Sequence, residues 1–174
     1  MLFLSNIDLF LTGIIRFILP QNKFFDIFFS FFSLAGNSIL IWAIIIAALL
    51  IFEEKRERRF VIYFFAAFLI TAFTVNIVLK NVFQRQRPYI RFKQEISKTI
   101  CPSDFSFPSG HAATAFAGAM ALSCFHKKRK YYFYATAVLI SLSRVYFQCH
   151  FFIDVVAGAV IGYLISRIIC LVKN

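Results

Sequence analysis

The sequence lacks several patterns that would place it among common soluble proteins. Its four cysteines form no CxxC pair, which argues against a zinc site. No recognisable nucleic-acid-binding motif accompanies the net charge of +11, so nucleic acid is not an expected partner. No internal repeat or low-complexity linker divides the 174 residues, which suits a single domain, 1–174. A cleavable signal peptide is also not expected, because no Lys or Arg precedes the first apolar stretch and Asp8 interrupts it.

Apolar side chains are what the chain has in excess. They make up 60% of the sequence and include 25 phenylalanines, and the mean hydropathy is +0.76. Ordinary soluble domains are about 45–50% apolar. A soluble protein of this size has no interior large enough for so much apolar surface, so the composition predicts an integral membrane protein.

Apolar runs free of charge mark the expected membrane spans. We predict an all-α helical bundle with about five transmembrane helices, near 37–52, 60–79, 110–125, 131–149 and 153–172. About 20 helical residues cross a ~30 Å hydrocarbon core. The last three runs are shorter because ionisable residues intrude near one end, where such residues are costly and usually functional. Residues 1–36 are expected to form an amphipathic helix and a second short helix, and 37–172 the transmembrane bundle.

Segment 5–18 has the periodicity of an amphipathic helix. Apolar residues recur on one face, and Asp8, Thr12 and Arg16 lie on the other. Pro20 ends the pattern. Such a helix either lies in the membrane interface or packs on the bundle, and the sequence does not decide between the two.

The charged breaks between the apolar runs indicate an orientation. Residues 53–59 (EEKRERR) and 126–130 (HKKRK) are short and dense in charge, and the positive-inside rule places them in the cytoplasm. Residues 80–109 and the 144–152 turn then face the opposite, non-cytoplasmic side of the membrane.

The cysteines divide between these surroundings. Cys101 and Cys149 fall in or beside the outer breaks, where an oxidising compartment would permit a disulfide. Cys124 and Cys170 lie in apolar runs, where cysteine behaves as a small hydrophobic residue.

The first of three polar clusters at the outer ends of the spans is cationic. Lys80 precedes Arg87 by seven residues, so one helix ended by Pro88 would carry both cations on one face. Arginine presents a planar fork to phosphate, and lysine presents a point charge. Arg144, from another span, adds a third cation. Three cations around one phosphate can hold its charge without a metal.

The second cluster is Pro108-Ser109-Gly110-His111, at the start of an apolar run with helical length. The free backbone N–H groups of Ser109 and Gly110 in a first helical turn would form an anion site. Gly110 allows a close approach of the backbone. His111, at the same point, can donate a proton to a leaving oxygen.

The third cluster contains His150 and Asp154, which are four residues apart and hence neighbours on one helical face. A carboxylate behind an imidazole fixes its tautomer and stabilises the imidazolium, and the imidazole itself can attack phosphorus. Taken alone, each cluster is explained by a basic patch, a helix start or a structural hydrogen bond. Their occurrence in order on one predicted face favours a catalytic site.

Together the clusters resemble the three motifs of the type 2 phosphatidic acid phosphatase and vanadium haloperoxidase superfamily. The matching positions are Lys80, Arg87 and Pro88; Pro108, Ser109, Gly110 and His111; and Ser143, Arg144, His150 and Asp154. The resemblance implies that phosphate is bound by Lys80, Arg87, Ser109, Gly110 and Arg144. It implies that His111 protonates the leaving group, that His150 becomes a phosphohistidine and that Asp154 orients it. It implies no metal and no cofactor, and it gives Arg85 no role.

The expected function is hydrolysis of a phosphomonoester or pyrophosphate on a lipid-anchored substrate. Among family members, the size and organisation are most similar to bacterial lipid A 1-phosphatases. Phosphatases for undecaprenyl pyrophosphate and phosphatidylglycerophosphate stay open as alternatives. The rival classes are a vanadate-dependent haloperoxidase, whose relatives are soluble, and a non-enzymatic lipid-binding protein.

Overall fold

The computed structural model describes residues 2–33, 35–52, 59–91 and 101–172. These ranges contain helices and no β-strand, which confirms the all-α prediction. The α-helices are α1 (Leu2–Ile18), α2 (Lys23–Ser33), α3 (Ala35–Phe52), α4 (Arg59–Phe73), α5 (Lys80–Phe83), α6 (Pro88–Arg91), α7 (Gly110–Phe125), α8 (Lys130–Tyr146) and α9 (Phe152–Leu171). A π-helical segment, Thr74–Leu79, joins α4 to α5, and a 3-10 turn, Lys127–Arg129, precedes α8.

Helix α7 lies at the centre of the bundle and packs against α4, α8 and α9. Its interior face is rich in alanine, and α9 meets it with glycines. A Cβ atom at Gly158 would overlap the carbonyl oxygen of Ser109, and one at Gly162 would overlap that of Ala113. Small residues let the helix backbones approach closely, which is how helices associate where the hydrophobic effect does not hold them together. This packing brings the start of α9 against the start of α7.

The outer surface of the bundle is apolar. Phe17, Ile51 and Phe52 have 89%, 74% and 77% of their surface exposed. Water-exposed apolar patches of this extent are not found on soluble monomers, so this surface fits lipid. Two of the described stretches, Arg59–Arg91 and Phe152–Leu171, are long and apolar enough to cross a membrane. The predicted helices are therefore present, and the number of spans stays a prediction.

Helix α1 packs on the bundle with its polar face inward. Asp8 and Thr12 are 1% and 5% exposed, whereas Phe10 and Phe17 project outward. This arrangement reverses the one expected in water, because the solvent of a membrane protein is the apolar phase. The packed position is one of the two alternatives that the sequence left open.

Candidate active site

The two cations of the first cluster converge on a carboxylate that the sequence did not single out. Lys80 Nζ and Arg87 Nη2 both donate to the carboxylate of Asp104, and Arg87 Nε donates to its carbonyl oxygen at 2.7 Å. Lys80 and Arg87 are buried, while the Asp104 side chain is 45% exposed. Burial raises the pKa of Asp104, but the ion pairs with Lys80 and Arg87 outweigh it and hold the pKa below its usual value. These cations are therefore arranged around an oxyanion.

The backbone between the two cations differs from the prediction of one continuous helix. Helix α5 ends at Phe83, and Gln84 adopts a left-handed conformation with φ of 46° while its N–H donates to the Lys80 carbonyl. Residues 84–87 are not helical, and Pro88 begins α6 instead of ending α5. Lys80 and Arg87 thus meet through a turn and not through a shared helical face.

The third cation is held by α2. Arg144 is fully buried, and its Nη1 donates to the carbonyl oxygen of Ser33 at 2.6 Å and to the Ser33 hydroxyl. Its charge acts on Arg87 and Asp104. Helix α2, the predicted second short helix, therefore places a cation at the site.

The start of α7 lies at the same end of the bundle. Ser109 is its N-cap, and the Ser109 hydroxyl accepts the N–H of Ala112 at 3.4 Å. The N–H of Ser109 donates to the Asp154 carbonyl at 2.9 Å, so it is not free for a ligand. The next two N–H groups, of Gly110 and His111, have no intrahelical acceptor. Of the two backbone donors predicted for the anion site, the N–H of Ser109 is therefore already bonded to Asp154, and that of Gly110 stays a prediction. The N–H of His111 is a further candidate donor that the sequence did not name.

A packing contact also explains why residue 110 is glycine. A Cβ atom there would overlap the side-chain oxygen of Asn76, in the π-helical segment. Close packing on Asn76 thus requires a glycine, independently of any ligand that Gly110 allows to approach the backbone. His111 is the next residue, and the positive charges of Arg144, Lys80 and Arg87 act on its imidazole.

His150 lies in the turn between α8 and α9 and not on α9 itself. The turn is tight: the N–H groups of Cys149 and His150 both donate to the Arg144 carbonyl, and Gln148 has a positive φ of 57°. Arg87 Nη1 donates to the Cys149 carbonyl at 2.8 Å. The imidazole of His150 is 1% exposed. The turn is therefore fixed by the same arginine that holds Asp104.

The contacts of His150 determine its tautomer. Its Nε2 lies 3.1 Å from Arg87 Nη1, and a guanidinium can only donate. Nε2 therefore carries the lone pair, and the proton is on Nδ1. Nδ1 lies 3.4 Å from the hydroxyl oxygen of Ser106. The nucleophilic lone pair thus faces the cations, and the N–H faces Ser106.

Ser106 lies between His150 and Asp154. The distance from His150 Nδ1 to the Asp154 carboxylate is 3.8 Å, which is too long for a hydrogen bond. The Ser106 hydroxyl donates to this carboxylate, so its lone pairs are free to accept the Nδ1–H. Asp154 is in the first turn of α9 and also accepts the Phe151 N–H at 3.0 Å. The prediction that both residues share a helical face is wrong, because the helix begins after His150.

The surroundings of His150 keep it neutral. Burial, and then the charges of Arg87, Arg144 and Lys80, lower its pKa well below the usual 6.5. A neutral imidazole retains its nucleophilic lone pair.

Arg85, to which the motif gives no role, joins two buried carboxylates. Its guanidinium donates to Asp154 and, at 2.6 Å, to Asp8 of α1. Sequence reasoning missed Asp8, Arg85, Asp104 and Ser106. Asp8 and Arg85 are 77 residues apart, and Ser106 and Asp154 are 48 apart, so no helical periodicity relates them. The nearest sequence signal is that Arg85, Asp104 and Ser106 lie within a few residues of matched motif positions.

Two cysteine pairs lie at opposite ends of the bundle. Cys101–Cys149 joins the 101–109 loop to the His150 turn, with 5.3 Å between Cα atoms, as the sequence permitted. Cys124–Cys170 pairs two residues that were expected to be separate small hydrophobic side chains. The described ranges hold no group of three His, Cys, Asp or Glu side chains placed to bind a metal ion.

Curated relatives match part of the chain. The undecaprenyl-diphosphatase of Sulfolobus acidocaldarius is 36% identical over 103 residues, covering 56% of this chain and 50% of the relative. The phosphatidylglycerophosphatase B of Bacillus subtilis is 34% identical over 102 residues, covering 52% and 47%. The chain thus spans about half the length of the curated relatives it matches.

Solved structures match nearly the whole chain. The crystal structure of Aquifex aeolicus LpxE has a TM-score of 0.68 at 28% identity and covers 93% of this chain and 94% of LpxE. A transmembrane PAP2-type phosphatidylglycerolphosphate phosphatase from Bacillus subtilis has the same TM-score at 22% identity, covering 98% and 86%, which shows a shared fold. The model of the PAP2 superfamily matches residues 59–174, which contain all three motifs, and the chain belongs to this superfamily.

Proposed function

We propose that this chain is a membrane lipid phosphatase that hydrolyses a phosphomonoester or pyrophosphate on a lipid-anchored substrate. The observation that carries the proposal is the placement of His150. Its Nε2 lone pair lies 3.1 Å from Arg87, the cation that with Lys80 already surrounds the carboxylate of Asp104. A phosphate bound in place of the Asp104 carboxylate would contact the cations and the nucleophile at the same time.

Binding begins when the substrate phosphate displaces the Asp104 side chain. Lys80, Arg87 and Arg144 then neutralise the phosphoryl oxygens without a metal. The N–H groups at the start of α7, of Gly110 and His111, add donors aligned with the helix dipole. Stabilisation of charge on the phosphoryl oxygens is the main contribution a protein makes to phosphoryl transfer.

The reaction proceeds in two displacements. The negative charge of the bound phosphate favours the protonated form of His111. His150 Nε2 attacks phosphorus, the bond from phosphorus to the lipid oxygen breaks, and the protonated His111 gives its proton to that oxygen. The phosphohistidine carries an imidazolium charge, which Asp154 stabilises through Ser106. Water, deprotonated by His111, then attacks phosphorus, the P–N bond breaks, and inorganic phosphate leaves with His150 restored.

The best proposal for the substrate is lipid A 1-phosphate. It is supported by the sequence organisation and by the similarity to LpxE over nearly the full length of both chains. Undecaprenyl pyrophosphate and phosphatidylglycerophosphate are the alternatives, and the names of the curated relatives favour them. All three present a phosphate at the head-group level of a bilayer.

We also propose that the whole chain, 1–174, is one domain in a bacterial inner membrane, with the active end facing the periplasm. The exposed cations at the other end, Lys127–Arg129 and Lys130, support this orientation. It predicts that Cys101 and Cys149 are oxidised in cells and that Cys124 and Cys170 are reduced, because cytosolic thiols are kept reduced. Alkylation of denatured cell extracts, followed by mass spectrometry, distinguishes the two pairs. The opposite pattern would invert the orientation.

A phosphate-release assay tests the activity. Purified protein in detergent is given each of the three lipids, with His150→Ala as the control. We expect release from at least one lipid, an acid-labile phosphoenzyme, inhibition by vanadate as a transition-state mimic, and no inhibition by EDTA. No turnover on any of the three, or activity lost to EDTA and restored by Mg²⁺, would contradict the proposal.

A further inference from the structure

Asp8 is a buried charged residue on a helix with two exposed phenylalanines. The residue is 1% exposed, whereas Phe10 and Phe17 of the same helix are 68% and 89% exposed. A buried carboxylate is costly unless it is paired and hydrogen-bonded. The partners of Asp8 therefore indicate why α1 turns its polar face inward.

One partner is Arg85, which holds two carboxylates at once. Its Nη2 donates to Asp8 at 2.6 Å, and its Nη1 donates to Asp154. A guanidinium is suited to this because its donors lie in one rigid plane, whereas an ammonium is a point charge. The guanidinium carbon lies 4.1 Å from the centre of the Phe151 ring, which fixes that plane further.

The other partners are at the start of α9. The Asp8 carboxylate accepts the N–H of Ile153 at 2.9 Å, and the Thr12 hydroxyl accepts the N–H of Phe152 at 3.1 Å. These are the first two residues of α9, and their N–H groups have no intrahelical acceptor. Helix α1 thus holds the first turn of α9, from which Asp154 projects.

The two carboxylate oxygens of Asp154 accept hydrogen bonds from different residues. One accepts from Arg85, and the other accepts from Ser106, which faces His150 Nδ1. Rotation of the carboxylate towards Arg85 would therefore move the oxygen that serves the nucleophile. From this geometry we propose that Asp8 and Arg85 are positioning residues that hold Asp154 against Ser106 and His150, and that α1 is part of the active-site architecture. The proposal rests on the proposed function, which makes His150 the nucleophile.

A double-mutant cycle tests this proposal in the full-length protein, with the lipid that the wild type turns over. The variants are Asp8→Asn, Arg85→Gln and the pair, and Asp26→Asn, the same substitution at an exposed aspartate, is the control. Asp26, on α2, accepts the Tyr146 hydroxyl at 2.6 Å and has no contact with Arg85. We expect kcat to fall roughly 10-fold in Asp8→Asn and more in Arg85→Gln, the cost of a misplaced catalytic group. KM should stay within about twofold, because the phosphate-binding cations are unchanged.

The pattern among the variants separates positioning from stability. The double variant should be no slower than Arg85→Gln, because both residues act through one contact. Arg85→Lys should keep the wild-type melting temperature but not the wild-type kcat, and Asp8→Glu should recover part of the rate. Additive losses in kcat, or melting temperatures that fall while kcat is unchanged, would overturn the proposal. So would an equal loss in Asp26→Asn.

A spectroscopic measurement makes the test independent of turnover. In protein labelled with ¹⁵N-histidine, the signals of His150 are assigned by their loss in His150→Ala. We expect the wild type to show the tautomer protonated on Nδ1, and Asp8→Asn to shift or broaden these signals while Asp26→Asn leaves them unchanged. If no lipid is hydrolysed, the proposed function fails, and the His150 spectra still decide whether α1 positions the imidazole. Identical His150 signals in the wild type and Asp8→Asn would refute the inference.

Discussion

The two ends of the helical bundle differ in the burial of their cations. Where α7 and α9 begin, the cations Lys80, Arg87 and Arg144 are buried, and the pairs and hydrogen bonds around them are formed by residues from distant parts of the chain. At the other end, Lys127–Lys130 are exposed beside an open cleft of about 660 Å³ that Tyr134 and Tyr163 help to line.

The two ends differ in whether their cations are buried or exposed, and burial has a free-energy cost. Desolvating a cation is expensive, so a buried cluster persists only where pairing compensates it and where function requires it. An exposed lysine costs little and needs no such explanation. We therefore expect that substitutions at the first end change chemistry and that equivalent substitutions at the second do not.

The largest expected effect is that of the nucleophile. His150→Ala should lower kcat by at least about 1000-fold, since loss of a covalent nucleophile typically removes most of the rate enhancement. His126→Gln, a histidine at the opposite end, should leave kcat within about twofold. Steady-state phosphate release measures both. Near wild-type activity in His150→Ala would show that another group forms the intermediate.

The next effect concerns the bridge between imidazole and carboxylate. Ser106→Ala removes the hydroxyl that joins His150 to Asp154, and we expect kcat to fall roughly 10- to 100-fold with KM little changed. Ser103→Ala, an exposed serine of the same loop, is the matched control. If the two variants behaved alike, Asp154 would act on His150 without Ser106.

The pH dependence follows from the lowered pKa of His150. A histidine of ordinary pKa loses about tenfold in neutral fraction for each pH unit below 6.5. Because burial and three cations keep His150 neutral, we expect the acid limb of kcat/KM to lie below pH 6.5, after correction for ionisation of the substrate. An acid limb at or above 6.5 would contradict this.

The same shift also affects the free energy of unfolding. As the pH falls below 6.5, His150 is protonated in the unfolded chain before it is protonated in the folded protein. This contribution to stability is therefore complete above that pH and declines below it. Asp104 is an acid and His150 is a base, but the lowered pKa of each makes the free energy of unfolding larger at higher pH. The lowered pKa of Asp104 stabilises the fold above the ordinary value of 3.8, and this is lost as the pH falls through the folded pKa. Thermal unfolding between pH 4 and 8, at constant salt, measures the trend of His150. The same measurement continued below pH 3.8 measures that of Asp104.

The two cysteine pairs provide a matched comparison of the two ends. When both are oxidised, they close loops of 48 and 46 residues, so their loss should change the entropy of the unfolded chain almost equally. In oxidised purified protein, Cys101→Ser with Cys149→Ser should also lower kcat by about threefold to tenfold, because it releases the His150 turn. Cys124→Ser with Cys170→Ser should lower the melting temperature alone. Equal kcat losses would place a catalytic contribution at the second end.

The smallest effect should come from the exposed lysines. Lys127→Met with Lys130→Met should leave kcat and KM within about twofold in detergent, as is usual for surface substitutions. Lys80→Met is the contrasting variant and should raise KM and lower kcat together. A loss of more than about fivefold in the double variant would indicate that the cleft at the second end binds substrate.

Much of the fold was predictable because lipid imposes a simple rule. Apolar runs of helical length must form helices in a bilayer, and the described ranges contain helices over most of each predicted span. The span predicted over 131–149 is an exception at its end, because the helix stops at Tyr146. The boundaries near the site were less predictable. The end of α5 at Gln84 and the start of α9 after His150 depend on local turns with positive φ, to which glutamine gives no sequence signal.

Some features of the site were likewise predictable from the sequence, and others were not. The sequence by itself determined the residue types whose order and spacing identify the superfamily, because their chemistry requires a cation, a helix start or an imidazole at each position. Only the tertiary structure decided which atoms meet. Asp104 between two cations, Ser106 between His150 and Asp154, and Arg85 between Asp154 and Asp8 are contacts across 17 to 77 residues of chain. Such contacts depend on how the helices pack, and no local pattern in the sequence encodes them.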